Sequence, residues 1–186
     1  NNNPNLFCVD VDDVAWSTAN WTNIGAQTYF STNCQAPPTT YVPDNNFEAY
    51  LENNGMGNGI PYDSSVFTSA IDTLTYLDVS MGAGSATGIF DLTGIEDFTA
   101  LTYLDCSYNQ FTIFDVSQNT ALTTLYCHSN QLTTLDVSQN TVLTKLDCGD
   151  AQLTSIDVSQ NTALTTLYCY SNQLTTLDVS QNTVLT

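Results

Sequence analysis

The chain has 186 residues, 42% hydrophobic and 11% charged, and a net charge of −18 from 19 acidic residues set against the single base Lys145. One lysine cannot neutralise a run of phosphates, which excludes nucleic acid as a partner and disfavours an anionic membrane surface. No run of about 20 apolar residues is present to insert into or span a bilayer, and the length suits one or two domains with a real core.

The chain opens with NNNPNL, which has neither the basic nor the apolar region of a secretory signal. The expectation is a cytosolic chain, a mature form or a piece of something longer. Asp10, Asp12 and Asp13 follow as an acidic cluster. The favoured reading of Asp12 and Asp13 is as helix N-terminal charges ahead of Val14-Ala15-Trp16. Calcium at the three aspartates is the weaker reading, because their spacing lacks a loop signature. Residues 35–42, QAPPTTYV, form a short linker. Pro43 and Asp44 then open a helix with Phe47, Tyr50 and Leu51 on one face, ending near Asn54-Gly55. Residues 74–100 hold an irregular first coil, marked by Leu77-x-Val79 and later by Leu92 and Ile95.

From Leu101 the chain repeats itself every 21 residues: LTYLDCSYNQFTIFDVSQNTA, LTTLYCHSNQLTTLDVSQNTV, LTKLDCGDAQLTSIDVSQNTA, LTTLYCYSNQLTTLDVSQNTV. A period of 20–29 residues with an LxxLxLxxNxL core is the leucine-rich-repeat signature. Here cysteine takes the third leucine position, as Leu104-x-Cys106, Leu125-x-Cys127, Leu146-x-Cys148 and Leu167-x-Cys169. Alternation sends Leu, Cys and Val inward and the residues between them outward. The expected fold is a mostly β solenoid of short parallel strands with small helical caps.

Asn109, Asn130 and Asn172 recur at one turn and Asn119, Asn140, Asn161 and Asn182 at another. An amide at such a turn is expected to donate to one coil and accept from the next. Ala151 breaks the first column, and Gly149-Asp150 beside it suggests a locally different, weaker turn. Aligning the start of the chain on the repeat sets Leu6 on Leu122, Val9 on Leu125 and Val11 on Cys127. Residues 1–11 then read as the last coil of a stack.

The LTxLDVSxNTxLTxLxC repeats resemble those of secreted bacterial leucine-rich-repeat proteins, often exported through the type IX route. The resemblance extends over nearly the whole chain. VPDNNFEAYLENNGMGNG (residues 42–59) looks like that family's N-terminal capping helix, and residues 3–34 look like its C-terminal cap. The expected organisation is a cap-like segment at 1–34, a linker at 35–42, a capping region at 43–73 and a repeat stack at 74–186, open at its C-terminal end. An open coil exposes apolar side chains and strand edges. Leu174, Leu177, Val179 and Leu185 are therefore expected to meet Leu6, Val9 and Val11 of another copy, building a head-to-tail filament, or to meet an adjacent repeat domain of a longer tandem protein. Asp72-Thr73-Leu74 resembles the short O-glycan acceptor of such relatives.

The six cysteines fall into two sets. Stacked strands bring the Cα atoms of Cys106, Cys127, Cys148 and Cys169 to about 4.8 Å, but parallel side chains hold the Cβ atoms too far apart for a bridge. Buried free thiols are expected. Cys8 falls on the outward Thr124 position and Cys34 closes the cap, so these two are expected to form a disulfide, which implies an oxidising, extracellular setting.

Asp115, Asp136, Asp157 and Asp178 form an outward column in which like charges raise one another's pKa or gather cations; a solvated acidic face is the favoured reading, and weak Ca²⁺ association the sharper one. One half of the repeat, LTxLDVSQN, hardly varies, and the variety between copies is read as sitting in the other half, at solvent positions of the strand face: Tyr103, Asp105, Tyr108, Tyr126, His128, Lys145, Asp147, Tyr168 and Tyr170. Aromatic bodies with polar tips suit a protein or glycan ligand, and drift on a soluble surface is the bland alternative. Enzyme chemistry finds no support, since the lone His128 has no nucleophile at motif spacing and no cofactor motif is present. The expected function is that of an extracellular structural or adhesive protein, with a glycan- or protein-binding module as the alternative.

Overall fold

The computed structural model describes residues 8–21, 29–31, 37–81 and 88–186. The chain divides into two compact units, residues 1–39 and 40–186. In the first, β1 (Cys8–Asp10) pairs in parallel with β2 (Tyr29–Ser31), and α1 (Val14–Asn20) follows β1. Asp13 is the helix N-cap, as its sequence position suggests. Its carboxylate accepts from the Trp16 N–H at 2.9 Å, pairing a donor that the first turn would otherwise leave open.

The boundary between the units falls inside β3 (Thr39–Tyr41), which pairs with β4 (Ser65–Phe67), and α2 (Asn45–Asn53) lies between these strands in sequence. Asp44 caps α2: one carboxylate oxygen accepts from the N–H groups of Asn46 at 2.9 Å and Phe47 at 3.0 Å. The other oxygen accepts from Phe90 and Asp91, so the same side chain binds the cap to the first coil. Phe47 and Leu51, one turn apart, are fully buried, and the Phe47 ring stacks on Phe98 at 6.3 Å. Past the helix, Gly55 takes φ +74, the left-handed geometry that glycine adopts without a Cβ clash.

Five strands then form one parallel sheet in chain order: β5 (Tyr76–Asp78), β6 (Tyr103–Asp105), β7 (Thr124–Tyr126), β8 (Lys145–Asp147) and β9 (Thr166–Tyr168). Leu77, Leu104, Leu125, Leu146 and Leu167 stand in register along it. The expected solenoid is therefore the observed fold. Its core is a continuous stack of the inward Leu, Val and Cys residues, joined by Phe111 and Ile89.

Side chains bind each coil to the one before it. Thr102, Thr123, Thr144, Thr165 and Thr186 each donate their hydroxyl to the carbonyl of the preceding threonine position, from Thr75 onward. Asn130 works in both directions: Nδ2 donates to the carbonyls of Cys106, Cys127 and His128, and Oδ1 accepts from the Phe111 N–H. Asn109 and Asn172 do the same in their coils. These bonds pair carbonyl and amide groups that the bend turns away from any ladder.

The second asparagine column behaves differently from the sequence expectation. Asn140 Nδ2 donates to the carbonyls of Val116 and Asn119, and Asn161 and Asn182 repeat this one coil on. The Oδ1 atoms of Asn119, Asn140, Asn161 and Asn182 are buried and accept nothing. This column only donates, and the N–H groups of the turn are taken up by its own carbonyls, as Asn140 N–H to Val137 and Leu143 N–H to Asn140 show.

The turn at Gly149-Asp150 also departs from expectation. Asp150 has φ +46, matching Tyr108, Ser129 and Ser171 at 57, 55 and 51. Its N–H donates to the Tyr170 carbonyl just as the Ser129 N–H donates to Gly149. The turn is thus the same as in the other coils, and the third coil lacks only its asparagine amide.

Candidate functional site

Outward residues of the strands and of the turns that follow them form one face. The aromatic groups on it touch in sequence. Tyr76 and Tyr103 stack with ring centroids 4.5 Å apart, and Tyr103 meets Tyr126 at 5.7 Å. The Lys145 ammonium lies 4.9 Å from the Tyr126 ring centroid and 6.0 Å from that of Tyr168. A hydrogen bond with Tyr126 raises the Lys145 pKa above the usual lysine value. Burial, reinforced by Asp105, pushes the Tyr103 phenol up to about 12. A second row runs beside the first, where Tyr108 packs edge-on to His128 at 4.9 Å. Tyr170 lies across Gly149, where an added Cβ would stand 2.5 Å from the ring. Gly149 therefore makes room for this ring.

Asp105 and Asp147 each use one carboxylate oxygen to accept a backbone N–H two residues on, from Ser107 and Gly149 respectively. Asp78 does the same with Ser80. These local bonds fix the acids in place between the rings. The structure thus brings together Tyr103, Asp105, Tyr108, Tyr126, His128, Lys145, Asp147, Tyr168 and Tyr170 on one side of the coils. Sequence reasoning missed Tyr76 and Asp78. Their strand lies 27 residues before its partner, whereas later strands are 21 apart. The signal was available, because Leu77-x-Val79 sets Tyr76 and Asp78 on the columns of Tyr103 and Asp105.

His128 Nδ1 lies 3.1 Å from the Ser129 hydroxyl, a neighbour on the same turn. On the other side of each coil, Asp115, Asp136, Asp157 and Asp178 each accept a backbone N–H, from Ser117, Ser138, Ser159 and Ser180. These bonds lower the pKa of Asp136, Asp157 and Asp178 below the usual aspartate value. The expected upward shift from like charges is therefore corrected: a direct bond to the charged form outweighs screened repulsion across solvent. Among the described residues, no group of three or more His, Cys, Asp or Glu is arranged to hold a metal ion. No described helix is long and apolar enough to cross a membrane.

Cys106, Cys127, Cys148 and Cys169 are free thiols in one column. The first three donate S–H to the carbonyls of Tyr126, Asp147 and Tyr168, one coil on, at 3.4 to 3.5 Å. Cys34 and Leu6 lie outside the described residues. Val9, Val11, Leu174, Val179 and Leu185 are half-buried, and Leu177 is exposed. Thr73 of the Asp72-Thr73-Leu74 motif is also exposed.

No protein-family model and no curated protein matches the chain. Solved structures do. The functional domain of InlJ from Listeria monocytogenes, described as including a cysteine ladder, is 42% identical with a TM-score of 0.67, over 83% of this chain and 33% of that one. An internalin, inlF, from Listeria monocytogenes is 21% identical with a TM-score of 0.59, over 78% of this chain and 48% of that one. A leucine-rich-repeat protein from Leptospira interrogans is 26% identical with a TM-score of 0.51, over 62% of this chain and 31% of that one. The class that the fold and its ladders define is the leucine-rich-repeat solenoid. Within that class the chain is similar to bacterial proteins, the internalins among them, and it spans between a third and a half of the two Listeria chains.

Proposed function

We propose that this chain is an extracellular adhesive module that holds a protein partner on its strand face. The observation that carries the reading is the unbroken run of ring contacts from Tyr76 through Tyr103, Tyr126 and Lys145 to Tyr168. Rigid aromatic side chains bring large contact area at small entropic cost, and tyrosine is enriched at protein interfaces. Short strands on a packed solenoid hold the rings in place before a partner arrives, which lowers the ordering cost of binding. Similarity to internalins supports an interaction module in general. The proposal includes a Cys8–Cys34 disulfide, and Cys8 stands apart from the four free thiols.

The test compares the chain with its Tyr126→Ala and Tyr168→Ala variants on surfaces coated with candidate proteins or with glycans. Light scattering at several concentrations runs alongside. A monomer that adheres to a protein surface and loses about tenfold or more in affinity on either substitution is the expected result. Adhesion confined to glycans makes the partner a carbohydrate. Mass that grows with concentration, and stops growing when residues 1–34 are removed, replaces the reading with head-to-tail assembly.

A further inference from the structure

Where the irregular first coil meets the regular repeats, the return stretches of the coils leave a cleft of about 850 Å³. Leu92, Phe114 and Leu135 line it, with Leu92 2% and Leu135 9% exposed. Ile113 forms part of the wall and is 66% exposed. The other three copies hold Thr134, Ser155 and Thr176 at the Ile113 position, and Leu135, Ile156 and Leu177 at the Phe114 position. The first copy thus carries larger apolar residues at three positions of the half of the repeat that otherwise hardly varies: Phe111, which is buried in the core against Phe114, and Ile113 and Phe114, which line this cleft. Ile113 adds exposed apolar area at a position where the other three copies carry a hydroxyl residue, and it does so beside Leu92, Phe114 and Leu135 rather than singly.

The rim is acidic. Asp91, Glu96, Asp115 and Asp136 are all exposed. Each is tethered by a backbone N–H to one carboxylate oxygen: Thr93 on Asp91, Gly94 on Glu96, Ser117 on Asp115 and Ser138 on Asp136. The tethers hold these charges around the apolar floor with little side-chain entropy left to lose. The chain's single base, Lys145, belongs to the strand face instead. From this juxtaposition we infer that the cleft is a second docking site, for a polypeptide segment that places a large apolar side chain on Leu92 and Phe114 and flanks it with lysine or arginine. The apolar floor supplies the affinity, and the four carboxylates choose a basic segment over an acidic or neutral one. This site is independent of the strand face.

The test measures binding of a fluorescent, end-blocked peptide, Lys-Leu-Lys-Phe-Lys, to the 186-residue chain by anisotropy, with the glutamate counterpart as control. Ile113→Thr with Phe114→Leu installs the residues of the second and fourth copies and leaves every charge in place. It is expected to weaken binding about tenfold, as the loss of buried apolar area predicts. Ile113→Thr alone, at an exposed position, gives the same direction without touching the core. Asp115→Asn with Asp136→Asn also weakens binding, while Asp105→Asn with Asp147→Asn on the strand face changes it by less than about twofold. Three results overturn the inference: no binding by the unaltered chain, no loss with Ile113→Thr, or equal loss from the two acidic pairs, which reduces the effect to general charge attraction.

Discussion

Ala151 stands where Asn109, Asn130 and Asn172 stand in the other coils. In those coils the amide Oδ1 accepts from Ile89, Phe111 and Leu153, and Nδ2 donates to three carbonyls. The equivalent N–H in the third coil is that of Leu132, next to a Gln131 N–H that bonds normally to Phe111. Ala151→Asn is therefore expected to stabilise the chain by about 1–2 kcal/mol, supplying an acceptor for that N–H and donors for the Cys127 and Cys148 carbonyls. Thermal unfolding of the two chains checks it, and an unchanged or lower Tm means that the turn does not admit the amide. The asparagines, inward leucines and free thiols were all legible from periodicity, because each is a column with one physical job. The unpaired Oδ1 atoms of the second column were not. Whether an amide oxygen finds a donor depends on how the neighbouring coil turns, and spacing does not encode that.

Among the elements, α2 depends on one side chain more than its length suggests. Asp44 pairs the N–H groups of Asn46 and Phe47 inside the helix and those of Phe90 and Asp91 in the first coil. Asp44→Ala is expected to cost about 2 kcal/mol, the upper end for loss of an N-cap, because two coil donors lose their acceptor as well. Chemical denaturation measures this. A loss below about 0.5 kcal/mol would mean that solvent replaces the carboxylate at all four donors. The sequence marked α2 through Pro43-Asp44 and the Phe47/Leu51 spacing, and alignment on the repeat set Cys8–Asp10 on Thr124–Tyr126, which are β1 and β7. It did not mark the cleft. The half LTxLDVSQN hardly varies between copies and so draws no attention in the sequence, and the meaning of Ile113 and Phe114 emerges only when Leu92, from a coil without the repeat's spacing, is folded beside them.

For the whole molecule, the columns set a window of pH stability. Burial pushes the Cys148 thiol from 9.0 up to about 12, and Cys106 and Cys127 move in the same direction. A thiol whose folded pKa is raised binds a proton that the unfolded chain has already released. Its contribution is complete below about pH 9 and falls as pH rises toward 12. The Tyr103 phenol, raised from 10.0 to about 12, acts in the same sense. Asp136, Asp157 and Asp178 act at the other end: held below 3.8 by backbone bonds, they contribute above that value and lose the contribution as pH falls through it. Unfolding midpoints measured across pH should therefore be flat near neutrality and drop steeply above about pH 9. A stack in which Cys106, Cys127 and Cys148 are replaced by alanine should lose less of its stability over that alkaline range, whatever its starting value. An alkaline slope unchanged by those replacements would remove the thiols from the explanation.

The threonine and asparagine bonds between coils reach back by one period, and the second and fourth copies differ only at His128 and Tyr170. A stretch of that length inserted or deleted as a block leaves each donor facing an acceptor of the same kind as before. A gene change that inserts or deletes such a block can therefore lengthen or shorten the molecule in whole-coil quanta, adding or removing one row of the strand face for each coil. The ladder turns the reach of this protein into a heritable, countable trait.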